Sequence, residues 1–215
     1  MKVLVLGASG ASGQRVLDQA LARGHQVTAF ARDPAKVSLE HPRLGRVAGD
    51  VTVASTLHAA VPGHDAVVWT VGGHDRLREP RRAAAPGVCT LGTRHLLDAM
   101  ADAGVRRLVC QSSWGAGDSR TRAPLPYRAA IFPLLLGAEL ADKTEQERLV
   151  RLSGIDWTVV RPARLTDGPA TGRYRTGPAL RFNWRAHVPR ADIAKLILDE
   201  LERAVHIGEI VEVSA

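Results

Sequence analysis

The chain opens on MKVLVLGASGASGQ, residues 1–14. An apolar run from Val3 to Leu6 stops at Gly7, and glycines recur at Gly10 and Gly13. The run reads as a buried strand, and the glycine stretch after it as a tight turn into a helix. Each glycine has its own physical task. Gly7 ends the strand in a turn, Gly10 lets a phosphate approach the backbone with no Cβ in the way, and Gly13 lets the helix pack closely on the strand. The helix start then aims free N–H groups and the positive end of its dipole at a pyrophosphate. The spacing is G-x-x-G-x-x-G rather than G-x-G-x-x-G, so the glycines alone are a weak signal. Their place directly after a strand and within a strand–helix–strand unit makes it strong. Gly7, Ser9, Gly10, Ala11, Ser12 and Gly13 are the expected diphosphate cradle.

The alternation continues along the chain. Runs rich in Val and Leu recur at Val3–Leu6, Val27–Phe30, Gly45–Ala48, Ala66–Thr70, Arg107–Cys110, Trp157–Val160 and Ile210–Val213. Between most of them, apolar residues fall at helical spacing. Val16, Leu17, Ala20 and Leu21 form one face; Leu91, Leu96, Leu97 and Met100 form another, ending near Gly104. Leu149, Val150 and Leu152 precede Gly154, which suits a helix C-cap. Ile193, Leu196, Ile197 and Leu201 line a last helix with Asp192 in its first turn. Near-continuous apolar strands alternating with helices predict an α/β fold with a parallel sheet covered on both faces. Two stretches break the pattern and read as long loops: 72–86, polar and basic, and 116–140, which holds Pro124, Pro126 and Pro133. Such loops at the carboxyl edge of a parallel sheet carry function.

Composition bounds the classes. With 215 residues, 45% of them hydrophobic, the chain has enough apolar material for one core, and a single domain over 1–215 is expected. No run approaches the ~18 apolar residues of a membrane span, and the first apolar run is cut by glycine too early for a signal peptide. A cytoplasmic location and no membrane partner are therefore expected. Cys89 and Cys110 sit inside apolar segments and read as buried thiols in a reducing compartment, with no metal site expected. The formal charge is +7 and the pI about 10.2. The arginines are scattered, however, and no nucleic-acid-binding motif accompanies them, so no nucleic-acid partner is expected.

The second strand ends at Phe30 and is followed by Ala31-Arg32-Asp33-Pro34. An acidic residue at that strand end would take the ribose 2′-hydroxyl of NAD; a guanidinium suits the 2′-phosphate of NADP. Asp33 reads as a turn residue before Pro34. Arg32 thus favours NADP(H) as the cofactor. After the third strand, Asp50 and Val51 are placed to meet the adenine, with Asp50 equally able to cap the helix starting near Val53. Thr70, Val71, Gly72 and Gly73 end the fourth strand and leave room for the cofactor along the strand ends.

These pieces together resemble the atypical short-chain dehydrogenase/reductase superfamily, and within it the NAD(P)H-binding branch of biliverdin-IXβ/flavin reductase-like and NADP-binding regulator-like proteins. The resemblance covers nearly the whole chain: GASGASGQ (7–14), ARDPAK (31–36), GDV (49–51), VRRLVCQSS (105–113), SGIDWTVVRPARLTDGPATGRYR (153–175) and VPRADIAKLIL (188–198). It implies a single doubly wound Rossmann-like domain and a serine beside the nicotinamide, Ser112 or Ser113. The superfamily's Tyr-x-x-x-Lys is missing. Four residues after Tyr127 stands Ile131, and Glu139 holds the tyrosine position ahead of Lys143. Lys143 could still bind the ribose or protonate a substrate; it could also be a helix-surface lysine paired with Glu147 at i+4. Pro162 is expected to border the nicotinamide, and 163–174 with 131–136 to wall the substrate side, which 163–187 extends; His74 and Trp114 are further pocket candidates. Lacking the tyrosine, the site suits acceptors that need little proton help: flavins, quinones, conjugated enones or tetrapyrroles; a small ketone is a further candidate acceptor. The expected activity is NADPH-dependent reduction by a monomer or homodimer acting on a small molecule. A non-catalytic NADP-sensing regulator and an NAD-dependent epimerase or dehydratase are the alternatives.

Overall fold

The structure, a computed structural model, describes residues 1–72, 87–183 and 185–215. In chain order it runs β1 (Lys2–Leu6), α1 (Ala11–Ala22), β2 (Gln26–Ala31), β3 (Leu44–Ala48), α2 (Ala54–Ala60), β4 (Ala66–Trp69), α3 (Val88–Ala103), β5 (Arg107–Gln111), α4 (Gly137–Arg151), β6 (Asp156–Pro162), β7 (Arg164–Thr166), β8 (Arg175–Gly177), β9 (His187–Pro189), α5 (Arg190–Arg203) and β10 (Glu209–Ser214). One sheet takes the order β3-β2-β1-β4-β5-β6-β10-β8, parallel throughout except that β8 runs antiparallel to β10. All seven strands expected from the apolar runs are present. The three-residue strands β7, β8 and β9 are too short to show a period and were not foreseen.

Strand alternation divides the core into two layers. Val3, Val5, Val27, Ala29 and Val109 face α1 and α5, meeting Val16, Leu17, Ile193 and Ile197. Leu4, Leu6, Val67, Trp69 and Leu108 face the opposite way, onto Leu57 of α2, Leu96 and Met100 of α3 and Val150 of α4. β1 pairs with β2 on one side and β4 on the other. The chain order reverses there, opening a crevice at the carboxyl ends of the strands.

The stretch 116–140 departs from the expected loop. It holds a 3₁₀ segment, Gly117–Arg122, and a π-helical run, Tyr127–Leu136, that passes directly into α4. Pro124 and Pro126 stand at the start of the run, where a missing N–H costs no bond. Pro133 lies inside it; its ring crowds the preceding turn, which suits the wider π geometry. Alanines and leucines, not a loop composition, fill the rest of the run. The α4 helix ends slightly earlier than Gly154 suggested, with Leu152 at its C-cap.

Candidate active site

The glycine turn is built by contact. Gly7 has φ +81, and a Cβ there would lie 2.9 Å from the Val71 amide nitrogen. A Cβ on Gly13 would lie 2.3 Å from the Gly7 carbonyl oxygen, so β1 and α1 can touch only without a side chain. Gly10 differs: it has an extended backbone (φ −79, ψ 162), and its Cβ would meet only the Gly7 oxygen, at 3.2 Å. Gly10 is also the N-cap of α1, which has no side-chain cap and no acidic residue in its first turn. Its first amides are left for another acceptor. The hydroxyls of Ser9 and Ser12 make no bond to other described residues, and both residues are part-exposed on this turn.

At the end of β2, Arg32 is exposed and makes no hydrogen bond or ion pair with a described residue. Asp33 is occupied as expected: its carboxylate accepts from the Ala35 amide and pairs with Lys36 at 3.1 Å. Asp50 accepts at Oδ1 from the Thr52 amide (2.9 Å) and hydroxyl (2.8 Å). The Thr52 bond, with Arg32's charge adding to it against a burial penalty, holds its pKa below the usual carboxylate value. Asp50 thus shapes the turn before α2 rather than capping the helix itself, whose N-cap is Val53. Val51 lies with its side chain in the core between Trp69 and Gly92. Thr70 donates its hydroxyl to the Leu6 carbonyl, binding β4 to β1.

Lys143 is not a surface residue. It is 3% exposed, and its ammonium donates to the Val71 carbonyl (2.9 Å), the Gln111 carbonyl (3.0 Å) and Gln146 Oε1 (3.2 Å). It therefore ties the ends of β4 and β5 together, and a Cβ on Gly72 would sit 3.5 Å from its Nζ. Burial works against the ammonium, but the neighbouring Cys89, Cys110, Glu139 and Asp142 outweigh it and raise its pKa. An ammonium with all three protons committed and a raised pKa is a positioning group, not a proton donor. The expected pairing with Glu147 does not form.

Glu147 instead meets Arg161 in a buried two-point pair, Oε1 to Nε at 2.9 Å and Oε2 to Nη2 at 2.6 Å. Ser112 donates to the same carboxylate at 2.5 Å. Its proton is spent, and the hydroxyl is buried. Of the two serines, only Ser113 remains available: it is half-buried and makes one long bond, 3.2 Å, to the Trp114 carbonyl. Arg161 also reaches Asp118 (2.8 Å) and Glu212 (3.4 Å), and Arg122 joins those same two carboxylates. This cluster fixes the 3₁₀ segment against β6 and β10. On the other side of β6, beyond Pro162, buried Asp192 accepts from Thr171 N, Thr171 Oγ1 and Gly172 N, pinning the 168–172 turn.

Among the described residues three side-chain polar atoms are buried without partners: Arg107 Nε at the start of β5, and Gln111 Oε1 and Trp114 Nε1 at and beyond its carboxyl end. Gln111 lies two residues after Val109 in the strand and so shares its face, the α1 side, which is the side of the glycine turn. Sequence reasoning passed over it as a strand residue; a polar side chain ending a buried strand was the available signal. Trp114 meets Tyr127, Phe132 and Phe182 edge-on, at 5.9, 5.9 and 4.8 Å between ring centres. Gly73 and His74 lie outside the described residues.

The two thiols are free and buried. Burial pushes Cys89 up, and Cys110 up to about 12, in spite of Lys143. Only the thiolate reacts appreciably, so neither cysteine should take up iodoacetamide in the native protein at neutral pH, while both should on unfolding. Mass spectrometry of the two samples reads this directly, and a labelled native Cys110 would contradict the packing.

An uncapped helix start over a side-chain-free turn, free serines, a free arginine at the next strand end and an orphaned acceptor define a nucleotide-binding α/β protein of the Rossmann type; the residues fit a dinucleotide. The chain belongs to the NAD(P)H-binding family, whose model matches residues 7–204. It is an oxidoreductase of the atypical short-chain dehydrogenase/reductase branch. It is 33% identical over 225 residues to an uncharacterized chloroplast protein of Arabidopsis thaliana, covering 100% of this chain and 76% of that one. It is 34% identical over 189 residues to a 3-diazoavenalumate denitrifying reductase of Streptomyces, covering 82% of this chain and 60% of that one. Among solved structures it is similar to an anaerobilin reductase of Escherichia coli O157:H7, with a TM-score of 0.81, 25% identity and coverage of 99% and 96%.

Proposed function

We propose that the protein is an NADPH-dependent reductase that acts on a small conjugated acceptor, a quinone, flavin, enone or ketone. The observation that carries this is the pairing, at the ends of β5 and β6, of an aromatic cluster with an unpartnered indole N–H and one available hydroxyl. Flat conjugated molecules pack on aromatic faces and edges. Ser113 is the group to donate to an acceptor oxygen as negative charge develops there. Gly7, Ser9, Gly10, Ala11, Ser12 and Gly13 would hold the diphosphate, Arg32 the 2′-phosphate, Asp50 through its second oxygen the adenine amine, and Gln111 with Pro162 the nicotinamide end. When bound, the nicotinamide supplies the hydride; the chain's residues bind, orient and exclude water. With Lys143 and Ser112 committed elsewhere, proton delivery is weak, which favours acceptors that tolerate a late proton.

Steady-state NADPH oxidation with a panel of quinones and flavins tests the reading. Turnover above the rate without protein is expected. Tight NADP binding with no turnover would instead make the protein a non-catalytic NADP sensor, and a tightly held cofactor that is not consumed would point to an epimerase or dehydratase. Arg32→Asp should raise the NADPH KM by about tenfold or more relative to that for NADH, from loss of a charge-assisted pair of ~1.5–3 kcal/mol. Equal effects on both cofactors would remove Arg32 from the site.

A further inference from the structure

Residues 117–136 and 175–183 pack together at the β8 edge of the sheet, whereas Tyr174 turns to the α1 and α5 side. Phe182 packs on Trp114, which meets Tyr127 and Phe132, and Glu212 accepts from both Arg122 and the Leu180 amide. This face has two unusual properties. Leu125, Leu134 and Leu135 stand 72%, 78% and 50% exposed, with exposed alanines and Leu136 beside them. The same two segments hold five arginines against one carboxylate of their own, Asp118, a formal +4, and Arg122 is further matched by the buried Glu212 of β10. Asp118 is already paired with Arg161 and Arg122. Arg120, Arg128, Arg175 and Arg181 are exposed.

We infer that this face docks the protein on an anionic lipid surface. Exposed leucines beside a cluster of cations have one complementary partner that satisfies both, an interface with acyl chains beneath negative headgroups. A second copy of the chain would set these exposed arginines against their own copies, and like charges brought together across an interface disfavour it. A nucleic acid would leave the leucines in water. The expectation of no membrane partner rested on the missing spanning run; docking needs none. The inference does not depend on the redox reading.

Cosedimentation with phosphatidylcholine vesicles, with and without phosphatidylglycerol, tests it on the intact protein. Binding to the phosphatidylglycerol vesicles is expected to be about tenfold or more tighter and to weaken as salt rises. A Leu134→Gln/Leu135→Gln variant should lose about tenfold or more of that binding, and so should an Arg128→Gln/Arg181→Gln variant. Leu152→Gln, at the opposite end of α4 and 72% exposed, should bind as wild type. Unchanged unfolding midpoints show that the variants are folded. No binding to phosphatidylglycerol vesicles, equal binding to both kinds, or binding indifferent to the leucines would overturn the inference. So would a solution dimer that the leucine variant turns into monomer.

Discussion

Gly13→Ala should lose both stability and nucleotide binding, while Gly10→Ala should lose binding alone. The Gly13 methyl would stand 2.3 Å from the Gly7 carbonyl and 2.8 Å from the Ala8 Cα, both backbone atoms that cannot swing aside. The helix must move off β1, which costs ~1–3 kcal/mol as overpacking and carries its N-terminal amides away from the turn. At Gly10 the one close atom is the Gly7 oxygen, at 3.2 Å, a tight contact that a shift of a few tenths of an ångström relieves, and the backbone conformation is one any residue adopts. The fold therefore tolerates the methyl there, and the need for glycine comes from what approaches from outside. Each should weaken NADPH by about a hundredfold, ~2.7 kcal/mol, but only Gly13→Ala should lower the unfolding midpoint by several degrees. Equal unfolding midpoints for the two variants would mean that the turn was misread.

Arg161→Met should be among the most destabilising single changes in the chain. Arg161 is 1% exposed and is the shared cation of Glu147, Asp118 and Glu212; the Glu147 and Glu212 side chains are themselves 4% and 0% exposed. Removing it leaves buried Glu147 with no cation and only the Ser112 hydroxyl, while Glu212 keeps Arg122 and the Leu180 amide; stranding that one buried carboxylate is an effect of ~3–5 kcal/mol. For a chain of this length, that lowers the unfolding midpoint by roughly 6–20 °C. Adding Glu147→Gln should recover part of the loss, because the two residues share one interaction. Calorimetric unfolding of the two variants reads both numbers; a loss below ~1 kcal/mol would show that the cluster behaves like a surface network.

Period and local chemistry account for the features legible in the sequence. Seven strands, the glycine turn and the turn role of Asp33 could be read, because each rests on residues adjacent in the chain. The expected α/β fold and the family resemblance hold. The wide helix at 127–136 was hidden because Pro133 inside a helix runs against the usual reading of proline. Lys143 and Ser112 were misread for another reason: their partners, the Val71 and Gln111 carbonyls and Glu147, come from other elements. No spacing along one chain shows which of two neighbouring serines points at a carboxylate brought in by α4. The orphaned oxygen of Gln111 is likewise visible only once β5 has its neighbours.

The central claim is that a nicotinamide dinucleotide phosphate rests its diphosphate on the open amino end of α1. Calorimetric titration of the purified protein with NADPH, NADP, NADH and NAD measures this most directly. The proposed role of Arg32 predicts saturable heat with both phosphorylated forms and affinities about tenfold or more weaker for the unphosphorylated ones. Absence of heat with all four at millimolar concentration, together with no upward shift of the unfolding temperature, would contradict it.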